Sequence, residues 1–478
     1  MAEEKISNTP FYKNEYFLLG IILAIGFVLR LIFLDNESIW LDEGIAIYRA
    51  KLDIATIIKE SADDIHPPLY YSFLKLWIFI FGDSEFATRL LSVVFGVLTI
   101  LFTYKISKLL FDSKIALISA FLVSISIFHN QESQEARVYT VLGFLGTLSF
   151  YYFIHLVKNW SKQKCILLIL SNVILLYTHL FGVFIIMAQF AFIAHQYFTR
   201  NIELQITKKH LIHFAITTLL FVPWVPVLFN QAIYFQNSHY LNKPDALEFF
   251  RVFNTFSGSK ILTLLFLLLI SFSLFRITVF KKYFQLLGYW LILPILLPIL
   301  ISQFSTSIFL HKYVINSSIP FYILITRGLF ELKQKNVIVL TIVLIVIFNI
   351  NSLVDYYSTP KKEEWRQATE FIEQEAKQGE TIVFHARYCL KNAFNYYAKR
   401  KDLLKNKFPE NTNDIDTQNI NDLQRIIEKN KRIWLVLSHP HDDEKLIDQE
   451  ILKKYKITRD KKFIGIRVYC LEKFKYEK

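Results

Sequence analysis

The sequence has few cysteines and glycines and little charge, and each shortage excludes a class of site or protein. Its 478 residues include 3 cysteines, with no CxxC pair and no spacing typical of a zinc site. Among its 13 glycines we find no glycine-rich phosphate-binding loop, so no nucleotide site of that kind is predicted. Charged residues are only 20% of the chain whereas hydrophobic residues are 53%, which excludes disorder over most of its length.

The abundant apolar residues are concentrated between about residues 15 and 353, and the rest of the chain is charged. A helix needs about 20 apolar residues to cross the hydrocarbon core of a membrane. Twelve segments are candidates, at 15–34, 67–82, 88–106, 114–128, 138–157, 165–180, 182–198, 210–229, 260–276, 284–302, 308–330 and 335–353. The first lacks a small-residue cleavage site and reads as a signal anchor. The predicted fold class is therefore a polytopic α-helical membrane protein.

Basic residues set the predicted topology and explain the net charge of +13, so we expect no nucleic-acid partner. Five Lys- and Arg-bearing loops are assigned to the cytoplasm by the positive-inside rule; they lie at 105–114, 158–164, 200–209, 276–282 and 327–335. The first loop, 35–64, carries eight acids and three bases and is placed outside. Both flanks of 66–82 then fall outside, which favours a re-entrant or interfacial segment and eleven crossings; the alternative is a full span.

The tail, 354–478, alternates helical and strand patterns and predicts a small α/β domain on the extracytoplasmic side. Residues 363–377 and 423–429 have helical patterns, while 381–385, 432–438 and 462–471 have strand patterns. The predicted division is thus a membrane module, 1–353, whose first outer loop (35–66) holds the acidic site, and a soluble domain, 354–478. Cys389 and Cys470 both lie in the tail and could pair if it is outside the cytosol.

An adjacent acidic pair, Asp42 and Glu43, stands in the first outer loop within Ser-Ile-Trp-Leu-Asp-Glu-Gly. Adjacent side chains on a helix diverge by about 100°, so we expect only one of the two to reach a reaction centre. A carboxylate near the apolar boundary would have a raised pKa and could act as a general base. The simpler interpretation is a solvated face of an amphipathic loop, and for an isolated Asp-Glu pair it would be preferred.

Basic residues of two kinds follow on the same side of the predicted topology. His66 precedes a Pro-Pro pair where the chain re-enters the membrane, and Arg89 begins a membrane helix. A histidine can donate a hydrogen bond to phosphate, and arginine is its natural bidentate partner. The structural alternatives are a helix-entry residue for His66 and a snorkelling interfacial anchor for Arg89.

Two further outward segments are rich in polar residues. If 131–139 begins a helix, Gln131, Glu135 and Tyr139 share one face, with Arg137 on a neighbouring one; a structural ion pair of Glu135 with Arg137 or with another helix is the alternative. Lys312 and Tyr313 stand at an outer boundary, where an aromatic belt with a snorkelling lysine is the alternative. Together these segments supply carboxylates, cations and aromatic rings, which are the groups needed to displace a lipid phosphate from a sugar.

Three segments, SIWLDEGIAIYRA, HPPLYYSFLKLWIFIFGDSEFATRLLSVVFGVL and QESQEARVYTVL, resemble the bacterial branch of the protein O-mannosyltransferase and aminoarabinose transferase superfamily. The resemblance covers about residues 15–200, and HKYVINSSIPFYILITRGL and KKEEWRQATEFI look like the family's distal features. It implies a GT-C fold and a glycosyltransferase that uses polyprenyl-phosphate sugars.

The resemblance also implies roles for individual residues. Asp42 and Glu43 match the family's catalytic acidic pair. His66 matches a basic phosphate contact, Arg89 the arginine of the family's next motif, and Glu135 and Arg137 the glutamate and arginine of its Q-E-A-R-x-Y stretch. We predict His66, Arg89, Arg137 and Lys312 as donor-phosphate contacts, and Trp40, Glu135, Tyr139 and Tyr313 as substrate contacts. One departure is that Gly44 and Ile45 follow the acidic pair, where aminoarabinose transferases carry a basic residue, so the resemblance does not identify the sugar.

The predicted function is an inverting glycosyltransferase in the bacterial cytoplasmic (inner) membrane, with its active site outside. Asp42 would deprotonate a hydroxyl of a lipid, glycan or protein acceptor, and the donor would enter from the surrounding membrane lipids. No cofactor is required and no metal site is predicted, although a divalent cation could bridge the carboxylates and the phosphate. The alternatives are a transporter or flippase of a lipid-linked sugar, which would need intramembrane charges or broken helices, and a non-catalytic scaffold.

Overall fold

The computed structural model describes residues 14–235, 241–274, 281–385, 390–409, 415, 419–438 and 445–473. The chain divides into two compact units. The helical unit comprises Met1–Ile32, Asp53–Trp77 and Thr88–Ser358. The sheet unit comprises Phe33–Leu52, Ile78–Ala87 and Thr359–Lys478.

The helical unit is built from helices that follow the apolar segments of the sequence, because each apolar stretch satisfies its own backbone hydrogen bonds as a helix. The α-helices are Glu15–Leu31, Ile54–Ala62, Leu69–Phe81, Glu85–Leu110, Ser113–Ile125, Ile127–Ser133, Tyr139–Lys158, Lys162–Thr178, Gly182–Phe198, Leu204–Phe221, Val225–Phe235, Glu248–Ser257, Lys260–Leu274, Lys281–Phe304, Ser318–Glu331 and Lys335–Ser358. Two 3₁₀ helices are Val222–Trp224 and His311–Ser317. Leu69–Phe81 and Glu85–Leu110 cross the division between the units.

Every one of the twelve predicted segments contains a helix, and the predicted fold class of a polytopic helical membrane protein is confirmed. Within the described residues, five helices are long and apolar enough to cross a membrane, or up to seven if each bent pair is one span. This is fewer than the eleven crossings predicted, because other apolar helices are shorter. Leu69–Phe81, for example, has 13 residues and is about 20 Å long; the re-entrant assignment of this segment stays a prediction.

Two pairs of consecutive helices are sharply bent. The first bend lies within the predicted apolar segment 114–128, which the sequence did not predict, and the second lies just before the predicted segment 260–276. Ser113–Ile125 and Ile127–Ser133 meet at 58°, and Glu248–Ser257 and Lys260–Leu274 meet at 99°. A break removes hydrogen bonds between backbone groups four residues apart, so other groups must satisfy the carbonyls it releases.

Arg30 satisfies carbonyl groups at the first of these breaks. Its side chain is 0% exposed. The guanidinium donates to the carbonyl oxygens of Ser124 at 3.1 Å and Val123 at 3.4 Å, and to Oδ1 of Asn130 at 3.3 Å. A charge buried in an apolar segment is costly unless polar groups surround it, and here backbone carbonyls supply that environment.

The segment after the break is tied to the end of the first helix. Gln134 Nε2 donates to the carbonyl oxygens of Arg30 at 3.0 Å and Ile32 at 2.7 Å. Ser133 Oγ accepts from Arg30 Nε at 3.0 Å. This approach requires a glycine at position 96, because a Cβ on Gly96 would lie 2.4 Å from Ser133 Oγ. The positions of Ser133 and Gln134 are therefore fixed by contacts with the first helix.

The sheet unit contains five strands, β1 to β5, in the order β2-β1-β3-β5-β4. The strands are Thr381–His385, Leu404–Phe408, Arg432–Ser438, Lys456–Phe463 and Ile466–Glu472. β1 is parallel to β2 and β3, and β5 is antiparallel to β3 and β4. The helices of this unit are Leu41–Lys51, Trp365–Glu375, Asn395–Tyr397 and Ile420–Lys429, with π-helical turns Leu390–Phe394 and Ile447–Leu452.

The central strand β3 has apolar side chains on both faces of the sheet. Trp434 and Val436 pack on one face with Trp365, whereas Ile433 and Leu435 pack on the other. A continuous apolar run is typical of a strand buried on both sides. The predicted small C-terminal α/β domain is confirmed.

The composition of the sheet unit differs from the predicted division at residue 353. The helix Leu41–Lys51 belongs to it, because Leu41 packs against the core that contains Trp365. Gly44 allows close approach to a neighbouring turn, since a Cβ there would lie 2.9 Å from the backbone nitrogen of Ala393. The acidic pair is thus carried by the unit that contains the tail.

The two tail cysteines have different status. Cys470 is buried and is a free thiol in the described part of the chain, and its Sγ accepts a hydrogen bond from Arg432 Nε at 2.9 Å. Burial raises the pKa of the Cys470 thiol. Cys389 lies outside the described residues, so its pairing with Cys470 stays a prediction.

Candidate functional site

The acidic pair occupies the first turn of the helix Leu41–Lys51, where free backbone N–H groups favour carboxylates. Glu43 is 0% exposed, and its carboxylate accepts from the backbone N–H of Trp40 at 3.4 Å and lies 3.5 Å from Lys362 Nζ. Asp42 and Trp40 are only half-buried. The two carboxylates therefore have different surroundings, and Asp42 is the more accessible to another molecule.

The start of this helix is anchored by a buried carboxylate. Glu363 accepts a hydrogen bond from the backbone N–H of Leu41 at 3.2 Å and another from Nε1 of Trp365. Glu363 satisfies a backbone donor that the first turn of a helix leaves free. The backbone beside Asp42 is held by this contact across more than 300 residues of sequence.

The residues before the acidic pair are held by a second group. The Tyr397 hydroxyl accepts from the backbone N–H of Ile39 at 2.6 Å and donates to the Glu85 carboxylate, which Arg366 also contacts. Burial, together with Glu85, raises the pKa of Tyr397, so its hydroxyl stays protonated and can donate. Sequence reasoning missed Glu85 and Tyr397, because their partners are distant in the chain.

The helical unit brings four of the predicted site residues together. Lys312 Nζ lies 2.9 Å and 3.2 Å from the two carboxylate oxygens of Glu135. Arg137 donates to the Tyr139 hydroxyl at 3.3 Å. Both cations lie over the Tyr139 ring, Lys312 Nζ at 5.3 Å and Arg137 Cζ at 5.5 Å from its centroid. We call these four residues, with His66 and Tyr313, the basic cluster.

The predicted helical face of Gln131, Glu135 and Tyr139 is wrong. One helix ends at Ser133 and the next begins at Tyr139, so residues 134–138 form a turn. Gln134, the residue after the first of these helices, donates from its side chain to carbonyl oxygens at the end of the helix Glu15–Leu31. Glu135 nevertheless forms an ion pair, with Lys312 of a distant segment.

Aromatic rings extend the cluster towards His66. The Tyr313 ring centroid lies 5.9 Å from that of Tyr139 and 6.2 Å from that of His66, which is 6% exposed. A second histidine, His179, lies 5.1 Å from His66 and 4.8 Å from Tyr313. Sequence reasoning missed His179; the available signal was a histidine near the end of the apolar segment 165–180.

Arg89 lies in the helical unit, near the start of the helix Glu85–Leu110. It is 1% exposed, so its side chain is buried inside the protein and does not have the exposed position of a snorkelling anchor. A charge buried in this way is often functional, and its role as a phosphate contact stays a prediction.

A metal site would need several ligand side chains close together in the described part of the chain. No group of three or more His, Cys, Asp or Glu side chains that could hold a metal ion occurs there. The suggested divalent cation between the carboxylates and the phosphate stays a prediction.

About a third of the chain matches a known protein family. Residues 65–227, which include His66 and the segment Glu135 to Tyr139, match the family described as dolichyl-phosphate-mannose-protein mannosyltransferase. No curated protein sequence matches the chain.

Solved structures match nearly the whole chain. One is ArnT from Cupriavidus metallidurans bound to undecaprenyl phosphate, with a TM-score of 0.63 and 11% identity over 95% of this chain and 97% of that one. Another is the oligosaccharyltransferase AglB from Archaeoglobus fulgidus in complex with an inhibitory peptide and a dolichol-phosphate. It has a TM-score of 0.58 and 14% identity over 89% of this chain and 70% of that one.

The chain has the GT-C fold. The resemblance to the protein O-mannosyltransferase and aminoarabinose transferase superfamily is confirmed. Because the identities are low, the solved structures show a shared fold and not a shared substrate.

Proposed function

We propose that this protein is an inverting glycosyltransferase that moves a sugar from a polyprenyl-phosphate carrier to an acceptor hydroxyl on the outer face of the bacterial cytoplasmic membrane. The observation that carries the proposal is the basic cluster. Arg137 and Lys312 both lie within 6 Å of the centre of the Tyr139 ring, with the Glu135 carboxylate bound to Lys312, inside a unit with the GT-C fold.

The cations near Tyr139 have carboxylate partners that a lipid phosphate can replace. Lys312 interacts electrostatically with Glu132 as well as Glu135, so two carboxylates accompany the cations Arg137 and Lys312, with Arg89 buried in the same unit. An incoming phosphodiester can exchange with a carboxylate as the partner of Lys312. Arg137 is 6% exposed, so water screens a contact with phosphate there less than at an exposed position.

The acidic pair supplies the base. We assign the role to Asp42, because Glu43 is fully buried and already pairs with Lys362 and the backbone of Trp40. Asp42 accepts the proton of the acceptor hydroxyl as the hydroxyl oxygen bonds to the anomeric carbon. The bond from that carbon to the phosphate oxygen breaks, its electron pair passes to the phosphate, and the configuration inverts. The basic cluster stabilises the charge that develops on the phosphate.

The matched structures support the choice of carrier. One contains undecaprenyl phosphate and another a dolichol-phosphate, and both are polyprenyl phosphates. For the sugar, Gly44 stands where aminoarabinose transferases carry a basic residue, and a side chain there would meet the backbone of Ala393. We therefore propose a hexose or pentose other than aminoarabinose.

A flippase is a weaker candidate even though broken helices occur. The first break is accompanied by Arg30, whose guanidinium is bound by Val123, Ser124 and Asn130. These contacts are structural, because they join the protein to itself and use backbone carbonyls that cannot be replaced by substrate.

The proposal is tested by sugar turnover in the purified full-length chain. A polyprenyl-phosphate sugar would be supplied in detergent with an acceptor extract, and release of polyprenyl phosphate followed. Asp42→Asn should lower turnover by about 100-fold or more, since a general base contributes about 10²–10⁴. Asp53→Asn is the control, because Asn can still cap the helix Ile54–Ala62 as Asp53 does. Normal turnover by Asp42→Asn would overturn the assignment of the base.

A further inference from the structure

A buried histidine in the helical unit has one ring nitrogen whose role is fixed by the backbone. His179 follows the helix Lys162–Thr178 and is 3% exposed. Its Nδ1 lies 3.1 Å from the backbone nitrogen of Phe181, a group that can only donate. Nδ1 is therefore the acceptor, and in the neutral ring the proton resides on Nε2.

The Nε2–H group of His179 has no hydrogen-bond partner among the residues that the structure describes. A buried donor is costly to leave unpaired, and nearly all buried polar groups in proteins have a partner. An N–H group held in a fixed direction without a protein partner is the arrangement expected where a ligand supplies the acceptor.

The surroundings of His179 indicate which acceptor that is. Its ring lies 5.1 Å from His66 and 4.8 Å from Tyr313, and Tyr313 lies 5.9 Å from Tyr139, whose ring carries Lys312 and Arg137. A neutral N–H donor next to a cationic group is suited to the anionic oxygen of a phosphate, because it adds a hydrogen bond without adding charge to be repelled by the cations.

We propose that His179 Nε2–H donates a hydrogen bond to the phosphate of the lipid donor. The inference rests on the proposed function, since it assigns a further phosphate contact to the same cluster. The backbone N–H of Phe181 supports this contact, because it fixes the tautomer and the ring orientation of His179.

Two substitutions separate the two ring nitrogens. In His179→Asn the side-chain oxygen can still accept from Phe181 N–H while the donor at Nε2 is lost. In His179→Gln the terminal amide can still donate near the Nε2 position while the Nδ1 acceptor is lost. His210→Asn is the matched control, because His210 is also buried with a partnerless Nε2 within the described residues, but its ring packs on Trp160 and His213.

The measurement is binding of undecaprenyl phosphate, and separately of undecaprenol, to the purified full-length protein. Wild type should prefer the phosphate, and His179→Asn should weaken phosphate binding by about 10- to 100-fold with undecaprenol binding unchanged. His179→Gln should recover most of the loss, and His210→Asn should bind as wild type does.

The outcomes that contradict each idea differ. If wild type binds undecaprenol as tightly as undecaprenyl phosphate, the proposed function fails. If wild type prefers the phosphate but His179→Asn binds it normally, or if both lipids are lost in parallel, the assignment of Nε2–H to the phosphate fails and the proposed function stands.

Discussion

Two basic residues in the helical unit are held in different ways. Arg30 is bound by backbone carbonyls of Val123 and Ser124, which are fixed parts of the chain. Lys312 is bound by a carboxylate, Glu135, and lies over an aromatic ring. A fixed carbonyl cannot leave, whereas a side-chain carboxylate can exchange with an anionic ligand. The nature of its partners therefore separates a structural cation such as Arg30 from Lys312, which we propose binds the donor phosphate.

The largest expected effect follows from removing the structural cation. Arg30→Met should lower the free energy of unfolding by several kcal/mol, because each buried carbonyl left without a donor costs about 1–3 kcal/mol. The midpoint of thermal unfolding of the purified protein measures it. Arg251→Met is the control, since Arg251 forms ion pairs at an exposed position, where about 0–1 kcal/mol is expected. An unchanged unfolding midpoint for Arg30→Met would contradict the structural role of Arg30.

Arg137→Gln should have the opposite pattern. Its unfolding midpoint should change little compared with Arg30→Met, whereas affinity for a polyprenyl phosphate should fall by about 30-fold or more, as expected when one partner of a buried charge contact is lost. Binding of the labelled lipid and thermal unfolding are measured on the same preparation. A large loss of stability with normal affinity would make Arg137 a structural residue like Arg30.

Glu135→Gln should give the smallest change and the most specific one. Since Glu135 competes with the ligand for Lys312, its loss should tighten binding of polyprenyl phosphate by roughly fivefold, because a nearby like charge is removed. Turnover should fall at the same time, because product release slows. Titration of polyprenyl phosphate as a product inhibitor measures both, and weaker inhibition would show that Glu135 supports phosphate binding through Lys312.

The sequence predicted those features that depend on local composition. The helices follow the apolar segments, and the apolar run around Trp434 forms the central strand. The break after Ile125 was not predicted, because neither proline nor glycine occurs there. The carbonyl groups that it releases are bound by Arg30, about 94 residues earlier in the chain.

Long-range partners also limited what could be predicted of the candidate site. The site residues were predicted from their chemical type and nearby motifs, but their partners were not. The ion pair of Glu135 with Lys312, for example, joins positions 177 residues apart. The contact of Ile39 with Tyr397 joins positions 358 apart, and it is contacts of this kind that group the acidic pair with the tail. Local periodicity carries no information about such partners.

One measurement tests the central claim most directly: following the sugar and the lipid phosphate together in sealed vesicles that contain the full-length chain and a labelled polyprenyl-phosphate sugar. We expect one polyprenyl phosphate to be released for each sugar bonded to an acceptor, with no sugar-bearing lipid crossing the bilayer. Movement of the intact lipid-linked sugar between leaflets, with no sugar transferred, would contradict a glycosyltransferase and indicate a flippase.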